Sequence, residues 1–225
     1  MPAAPEKSLQ RIVCYVTDRK FFHSTDPVGS MLAHIRTAIA AGVDWVQIRE
    51  KDLPGRELLA LVRAVVGMAN DRASKARVIV NDRLDVALAA GARGVHLGDQ
   101  SLPAREIVRW CRAGNVPAGF LVGVSSHGFE RAREAEDADA NYVFFGPIFD
   151  TPAKKSFGAP QGIPKLAEVC RSVRIPVIAI GGVNKVNSDE CLRAGAAGIA
   201  AIRLFQEPRE PVSLKATVEG VHNFV

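Results

Sequence analysis

The run Gln47-Ile48-Arg49-Glu50-Lys51 carries the densest chemistry in this chain. Alternate residues of an extended segment share a face. Gln47, Arg49 and Lys51 therefore project together, bringing one amide and two cations to one place. That set suits a diphosphate, because a guanidinium grips phosphate oxygens through a planar fork and an ammonium acts as a point charge. The competing reading is a structural ion pair involving Glu50. Further on, Asn81-Asp82 sets an amide beside a carboxylate. Such a carboxylate either ligates Mg2+, which needs few protein ligands when phosphates supply the rest, or caps a helix. Ser125-Ser126-His127 adds two hydroxyls and an imidazole. A single histidine is either a hydrogen-bonded structural residue or an acid–base group active near neutral pH.

Three more segments have the residue types of a binding site. Gly146 to Gly158 is a long stretch holding Thr151, Lys154 and Lys155. Long ordered loops are usually functional, and this one is read as closing over a substrate; a solvated loop is the alternative. Gly181-Gly182 lets the backbone approach an anion closely, and Arg203 offers a further cation. His96-Leu97-Gly98-Asp99-Gln100-Ser101-Leu102-Pro103 reads in part as a helix start, with Ser101 ahead of Pro103.

The elements that position these groups are visible in a repeat. Ala41-Gly42-Val43-Asp44 precedes Trp45 to Ile48, Ala90-Gly91-Ala92-Arg93-Gly94 precedes Val95 to Leu97, Ala138-Asp139-Ala140-Asn141 precedes Tyr142 to Phe145, and Ala194-Gly195-Ala196-Ala197-Gly198 precedes Ile199 to Ile202. Each copy is a helix stop followed by a short apolar run, and Gly or Asp suits the left-handed residue that ends a helix. Between the copies lie four more β-rich runs: Ile12 to Thr17, Val78 to Val80, Phe120 to Val124 and Pro176 to Ile180. Their apolar continuity fits parallel strands buried on both faces. Helical patterns fill the gaps at Met31 to Ala41, Arg56 to Ala73, Leu84 to Ala90, Ala104 to Cys111, Phe129 to Asp137, Pro164 to Val173 and Ser188 to Ala194. Strict alternation means α/β architecture. Eight such units predict a single (β/α)8 TIM barrel, with an open doubly wound sheet as the other arrangement. In such barrels chemistry sits on the loops that follow the strands, and every polar cluster named above falls there.

Composition narrows the functional classes. The 225 residues are 48% hydrophobic and 24% charged, enough for a sizeable core. No apolar run approaches the roughly 20 residues of a membrane span. The net charge of +5 is spread among acids, as in Glu130 to Glu136, rather than gathered into the patch a nucleic-acid binder presents. We therefore expect small anionic substrates and neither nucleic acid nor membrane as partner. Cys14, Cys111, Cys170 and Cys191 are far apart, which argues for free, largely buried thiols and against disulfides or a zinc site. The Pro- and Ala-rich start lacks the apolar core of a signal peptide. Residues 1–10 are expected to be a disordered lead-in and residues 11–225 the barrel of a cytoplasmic protein. A homo-oligomer is compatible with this sequence, which does not set the number of copies.

Taken in order, Q-I-R-E-K, N-D-R-L-D-V-A-L, G-V-H-L-G, G-V-S-S-H, F-G-P-I-F-x-T and P-V-I-A-I-G-G, from about Cys14 to about Phe205, resemble the thiamine-phosphate synthase family, which also contains the TenI-like thiazole tautomerases. The resemblance implies a transferase that joins a hydroxymethylpyrimidine diphosphate to a thiazole phosphate, releasing diphosphate, with Mg2+ as cofactor. By motif match, Gln47 would hold the pyrimidine, and Arg49, Lys51, Asn81 and Lys154 the diphosphate. Asp82 would ligate Mg2+, Ser125 would sit near the reacting centre, Thr151 and Lys154 would approach the thiazole, and Gly181 and Gly182 would bind its phosphate. Three positions depart from the family pattern. Ser101 stands where a second metal-binding Asp is usual, Thr151-Pro152-Ala153-Lys154 replaces T-x-T-K, and Arg203 replaces a Ser. These changes weaken the metal half of the site more than the thiazole-phosphate half. They leave two alternatives open: a thiazole tautomerase with His127 as acid–base, and a non-catalytic sensor of thiazole phosphate.

Overall fold

The computed structural model describes residues 11–70, 74–150, 159–207 and 211–224. Eight parallel strands close on themselves in sequence order: β1 (Ile12–Val16), β2 (Trp45–Ile48), β3 (Arg77–Asn81), β4 (Gly94–Leu97), β5 (Leu121–Ser126), β6 (Tyr142–Phe145), β7 (Val177–Ile180) and β8 (Gly198–Ala201). Helices lie outside: α1 (Pro27–Ala40), α2 (Gly55–Ala69), α3 (Leu84–Ala89), α4 (Ala104–Trp110), α5 (Phe129–Asp137), α6 (Gly162–Ser172), α7 (Ser188–Arg193), α8 (Arg203–Gln206) and α9 (Pro211–His222). The closed barrel excludes the open doubly wound sheet.

The four repeated stops do what their residue types demand. Gly42, Gly91, Asp139 and Gly195 all have φ between 58° and 98°, the left-handed turn that ends each helix and aims the chain into the next strand. Two helix boundaries differ most from the sequence reading, the others by at most a residue or two. α1 begins at Pro27, ahead of Met31, because Asp26 accepts a hydrogen bond from Gly29 N and Pro27 takes the first-turn position. α2 ends at Ala69 with Asn70 as its C-cap, short of the Ala73 limit; residues 71–73 lie outside the described residues, as do residues 1–10.

Alternation along the strands builds two cores. Val13, Val46, Val80, Val143 and Phe145 face outward into the shell of helices. Cys14, Trp45, Ile79, Tyr142, Phe144 and Ile178 face inward and fill the barrel, a packed interior rather than a pore. The inward aromatics fit because neighbouring strands give way. A Cβ on Gly123 of β5 would stand 2.0 Å from the Tyr142 ring. At the opposite end from the strand termini, α9 ties back to the start of the chain. Asp44 Oδ2 accepts from Val13 N (2.8 Å) and pairs with His222 Nε2 (2.8 Å), and the guanidiniums of Arg11 and Arg193 lie over the Phe224 ring.

Of the four free cysteines, Cys14 and Cys191 are buried, whereas Cys111 and Cys170 are half-buried. Burial pushes the thiols of Cys170 and Cys191 up to about 11 and about 12, so neither is a thiolate near neutral pH.

The fit of Tyr142 over Gly123 yields a direct test. Gly123→Ala should overpack the interior and destabilise the protein by about 1–3 kcal/mol, read as a lowered urea midpoint. An unchanged midpoint would mean the ring has room to move.

Candidate active site

The loops after the strands surround one cavity of about 680 Å3 at the C-terminal rim. Gln47, Arg49 and Lys51 all line it, as the alternation of the run requires. Gln47 is 2% exposed, and its Nε2 has no hydrogen-bond partner among the described residues. A buried amide donor left without a partner costs free energy unless something supplies an acceptor, and Gln47 lines the cavity.

Glu50 points the other way and is the structural ion pair, but its partner is Arg19. Thr17 Oγ1 donates to Glu50 Oε1 (2.7 Å) and accepts from Arg49 N (3.0 Å). Arg19 adds its backbone N–H to both carboxylate oxygens (3.1 Å each) and its Nη1 to Oε2 (3.1 Å). Arg19 also reaches Asp52 (2.7 Å). Hydrogen bonds from Arg19 and then Lys20 hold the Asp52 carboxyl well below the usual carboxylate range. The buried carboxylate is thus satisfied entirely from the turn after β1. Arg49 and Lys51 are left facing the cavity with no acidic partner among the described residues.

Asp82 is not a helix cap. Its φ is 61°, Arg83 stands at the N-cap of α3, and that helix has no side-chain cap. The carboxylate instead gathers its own donors: Gly98 N (3.2 Å) and the Ser101 hydroxyl on Oδ1, and Asn81 Nδ2 (2.6 Å) on Oδ2. Ser101 does not cap α4 either; Pro103 holds that position, and Ser101 Oγ accepts from Gly98 N (2.7 Å) while donating to Asp82. A carboxylate has about four lone-pair sites, and three are taken, so a cation here finds one free position. No group of three or more His, Cys, Asp or Glu among the described residues is arranged to hold a metal ion. Asp99 does not stand in for the missing acid. Its Oδ2 lies 3.3 Å from His127 Nε2, and the other ring nitrogen, Nδ1, contacts the Gly146 carbonyl.

Ser125 and Ser126 divide their labour. Ser126 is buried and donates to Gly128 O (2.7 Å), shaping the turn. Ser125 lines the cavity and contacts His96 Nε2 (3.0 Å). On the β7 and β8 side, Gly181 and Gly182 have φ of 94° and 69°. A Cβ on Gly182 would stand 2.7 Å from Asp150 O, and one on Gly181 2.5 Å from Pro147, so only glycine fits at either position. Neither backbone N–H has an acceptor among the described residues. Arg203, the first residue of α8, lines the same end of the cavity with Lys185. Thr151 and Lys154 lie outside the described residues. Sequence reasoning missed Lys185, although it follows the paired glycines in the same loop, and gave no role to His96.

The fold and the rim together define a (β/α)8 barrel with a polar cavity at its C-terminal end: two sets of groups whose chemistry suits anions, Arg49 with Lys51 and Gly182 with Arg203, open into it. Comparison with known proteins makes the class specific. The sequence profile described as thiamine monophosphate synthase matches residues 13–205, and the chain belongs to this family. It is 38% identical over 210 residues to a thiamine-phosphate synthase of a Roseiflexus species, covering 93% of this chain and 84% of the relative. With the thiamine-phosphate synthase of Methanocella arvoryzae it shares 44% over 169 residues, 74% and 76% of the two chains. A solved thiamine phosphate pyrophosphorylase from Pyrococcus furiosus superposes with a TM-score of 0.79 at 29% identity, covering 96% of each chain.

Because Thr17 links Arg49 N to Glu50, Thr17→Val should destabilise the fold by about 1–3 kcal/mol, the cost of leaving buried polar groups unpaired. It should also weaken binding of inorganic diphosphate, measured by calorimetry, although Thr17 touches no ligand. Weakened stability with unaltered diphosphate affinity would separate the network from the binding face.

Proposed function

We propose that this chain is a thiamine-phosphate synthase, condensing a hydroxymethylpyrimidine diphosphate with a thiazole phosphate to give thiamine phosphate and diphosphate. The observation that carries the reading is the pairing of two separate anion-binding sets in one cavity. One suits a diphosphate, the other a single phosphate. The chemistry breaks the C–O bond between the pyrimidine methylene and the diphosphate, with the electron pair leaving on oxygen. The thiazole nitrogen then donates its lone pair to the methylene cation, forming the C–N bond.

Each group has a part in that sequence. Gln47 would hold the pyrimidine through its unpartnered amide. Arg49 and Lys51, with Asn81 and Lys154, would take the charge that grows on the departing diphosphate, the largest electrostatic demand of the reaction. Gly181, Gly182 and Arg203 would seat the phosphate of the thiazole, with Thr151 beside its ring. This makes the second step effectively unimolecular. Ser125 would sit near the reacting centre, and His127 lines the same cavity. Mg2+, when bound, would supply further charge stabilisation to the leaving group. Asp82 would hold it through its one free lone pair, and diphosphate oxygens would complete the shell. A cytoplasmic location is part of this proposal and accords with four free cysteines. The tautomerase alternative is not favoured, since an isomerase has no diphosphate to hold with Arg49, Lys51 and Asp82.

Incubation with both substrates and Mg2+, followed by product analysis, tests the assignment: thiamine phosphate and diphosphate should form in equal amounts. His127-dependent isomerisation of thiazole phosphate with no condensation would reject it. For the metal, we expect Ser101→Asp to tighten Mg2+ binding in the absence of substrate, by direct titration, and Asp82→Ala to abolish it. For the phosphate end, Arg203→Ser should weaken thiazole-phosphate binding roughly tenfold, the worth of a charge-assisted hydrogen bond. Unchanged affinity would show that Arg203 only lines the wall.

A further inference from the structure

Three side chains from adjacent strands form a line from the barrel interior to the cavity. Tyr142 of β6 is 0% exposed, and its hydroxyl lies 3.2 Å from His96 Nδ1 of β4. His96 is 2% exposed, and its other nitrogen, Nε2, lies 3.0 Å from Ser125 Oγ of β5. The geometry is enforced by packing. The imidazole sits against Phe144, with ring centroids 4.4 Å apart, and the phenol is wedged against Trp45 and over Gly123. No step assigned above uses Tyr142 or His96.

Two proton arrangements of the neutral imidazole fit this line, and they differ at the cavity. In one, Nδ1–H donates to Tyr142, Ser125 donates to Nε2, and Ser125 shows only lone pairs to the ligand. The phenolic proton then has no acceptor among the described residues, and a fully buried donor without a partner pays its whole desolvation cost. In the other, the Tyr142 O–H donates to Nδ1, Nε2–H donates to Ser125 Oγ, and the serine proton is free to point into the cavity. Both buried donors, the phenol and the imidazole N–H, are then used. Burial raises the Tyr142 phenol well above its ordinary range, so its proton is retained at any working pH.

We infer that Tyr142 and His96 are positioning residues which fix the imidazole as the Nε2–H tautomer and so present Ser125 to the substrate as a hydrogen-bond donor. Resting on the synthase reading, the acceptor is an oxygen of the departing diphosphate, the group that gains negative charge as the C–O bond breaks. The proton is not transferred. It is shared in a hydrogen bond that strengthens as charge develops, and Tyr142 and His96 set its direction from behind.

Two measurements test this. Nitrogen-15 NMR of histidine-labelled protein, with the His96 ring assigned by loss of its signals in His96→Gln, should show the Nε2–H tautomer. The Nδ1–H tautomer in the unaltered protein would overturn the inference, whatever the enzyme turns over. In kinetics, Tyr142→Phe should lower kcat about tenfold with KM little changed, and should add no further loss in a Ser125→Ala background. An equal loss in both backgrounds would mean Tyr142 acts through stability alone. If the unaltered protein forms no thiamine phosphate, the synthase reading fails, and the tautomer measurement still decides the relay.

Discussion

Where β1 meets β8, Gly198 lies so close to Ile12 that a methyl group on it would sit 2.0 Å from the Ile12 carbonyl oxygen. That contact closes the sheet, and the rest of the molecule depends on closure. A closed parallel sheet has no edge to protect and brings the C-terminal ends of all its strands to one rim. Residues as distant in sequence as Gln47, Asn81, Ser125, Gly182 and Arg203 reach the same cavity only because the ring is complete. Closure also sets the width of the interior. Gly123 gives the room in which Tyr142 packs, with Trp45 and Phe144, as floor beneath the site.

The rim separates holding from binding by the parity of each strand. In the run from Gln47 to Lys51, odd-numbered residues face the cavity, and Glu50 turns to Thr17 and Arg19. A carboxylate between two cations would ordinarily pair with one of them. Here it is saturated from the turn after the neighbouring strand, and the cations keep their charge for a ligand. Asp82 shows the opposite economy: its donors converge from β3 and the loop after β4, leaving little capacity for anything else. Ser101 donates where the family pattern has an acid, so the charge at this corner is lower than that pattern supplies.

Much of this was legible in the residues. The left-handed stops at Gly42, Gly91, Asp139 and Gly195 announced the strands that follow, and β2, β6 and α5 have the limits their patterns set. Alternation alone placed Gln47, Arg49 and Lys51 on one wall. Local signals misled where tertiary contacts outweighed them. Asp82 and Ser101 have the types of helix caps, yet each bonds to the other across two loops. Asp26 and Pro27 did carry a helix start, upstream of the apolar period that marked Met31. His96 was unreadable for a different reason. An inward histidine in an apolar strand looks the same whether it packs or serves a site, and only the placement of Tyr142 and Ser125 on the adjoining strands tells them apart.

The tie between the two ends of the barrel has a consequence for how the molecule is made. Synthesis delivers β1 first and β8 last, and β1 pairs on one side with β2 and on the other only with β8. The flank of β1 that will meet Gly198 therefore waits, unpaired, while nearly the whole chain is produced. The Asp44 carboxylate beside it accepts from Val13 at once but meets His222 only at the end. A nascent chain thus carries an exposed strand flank throughout its elongation, and the order of translation, as much as the final contacts, sets the interval during which that flank is open to other chains.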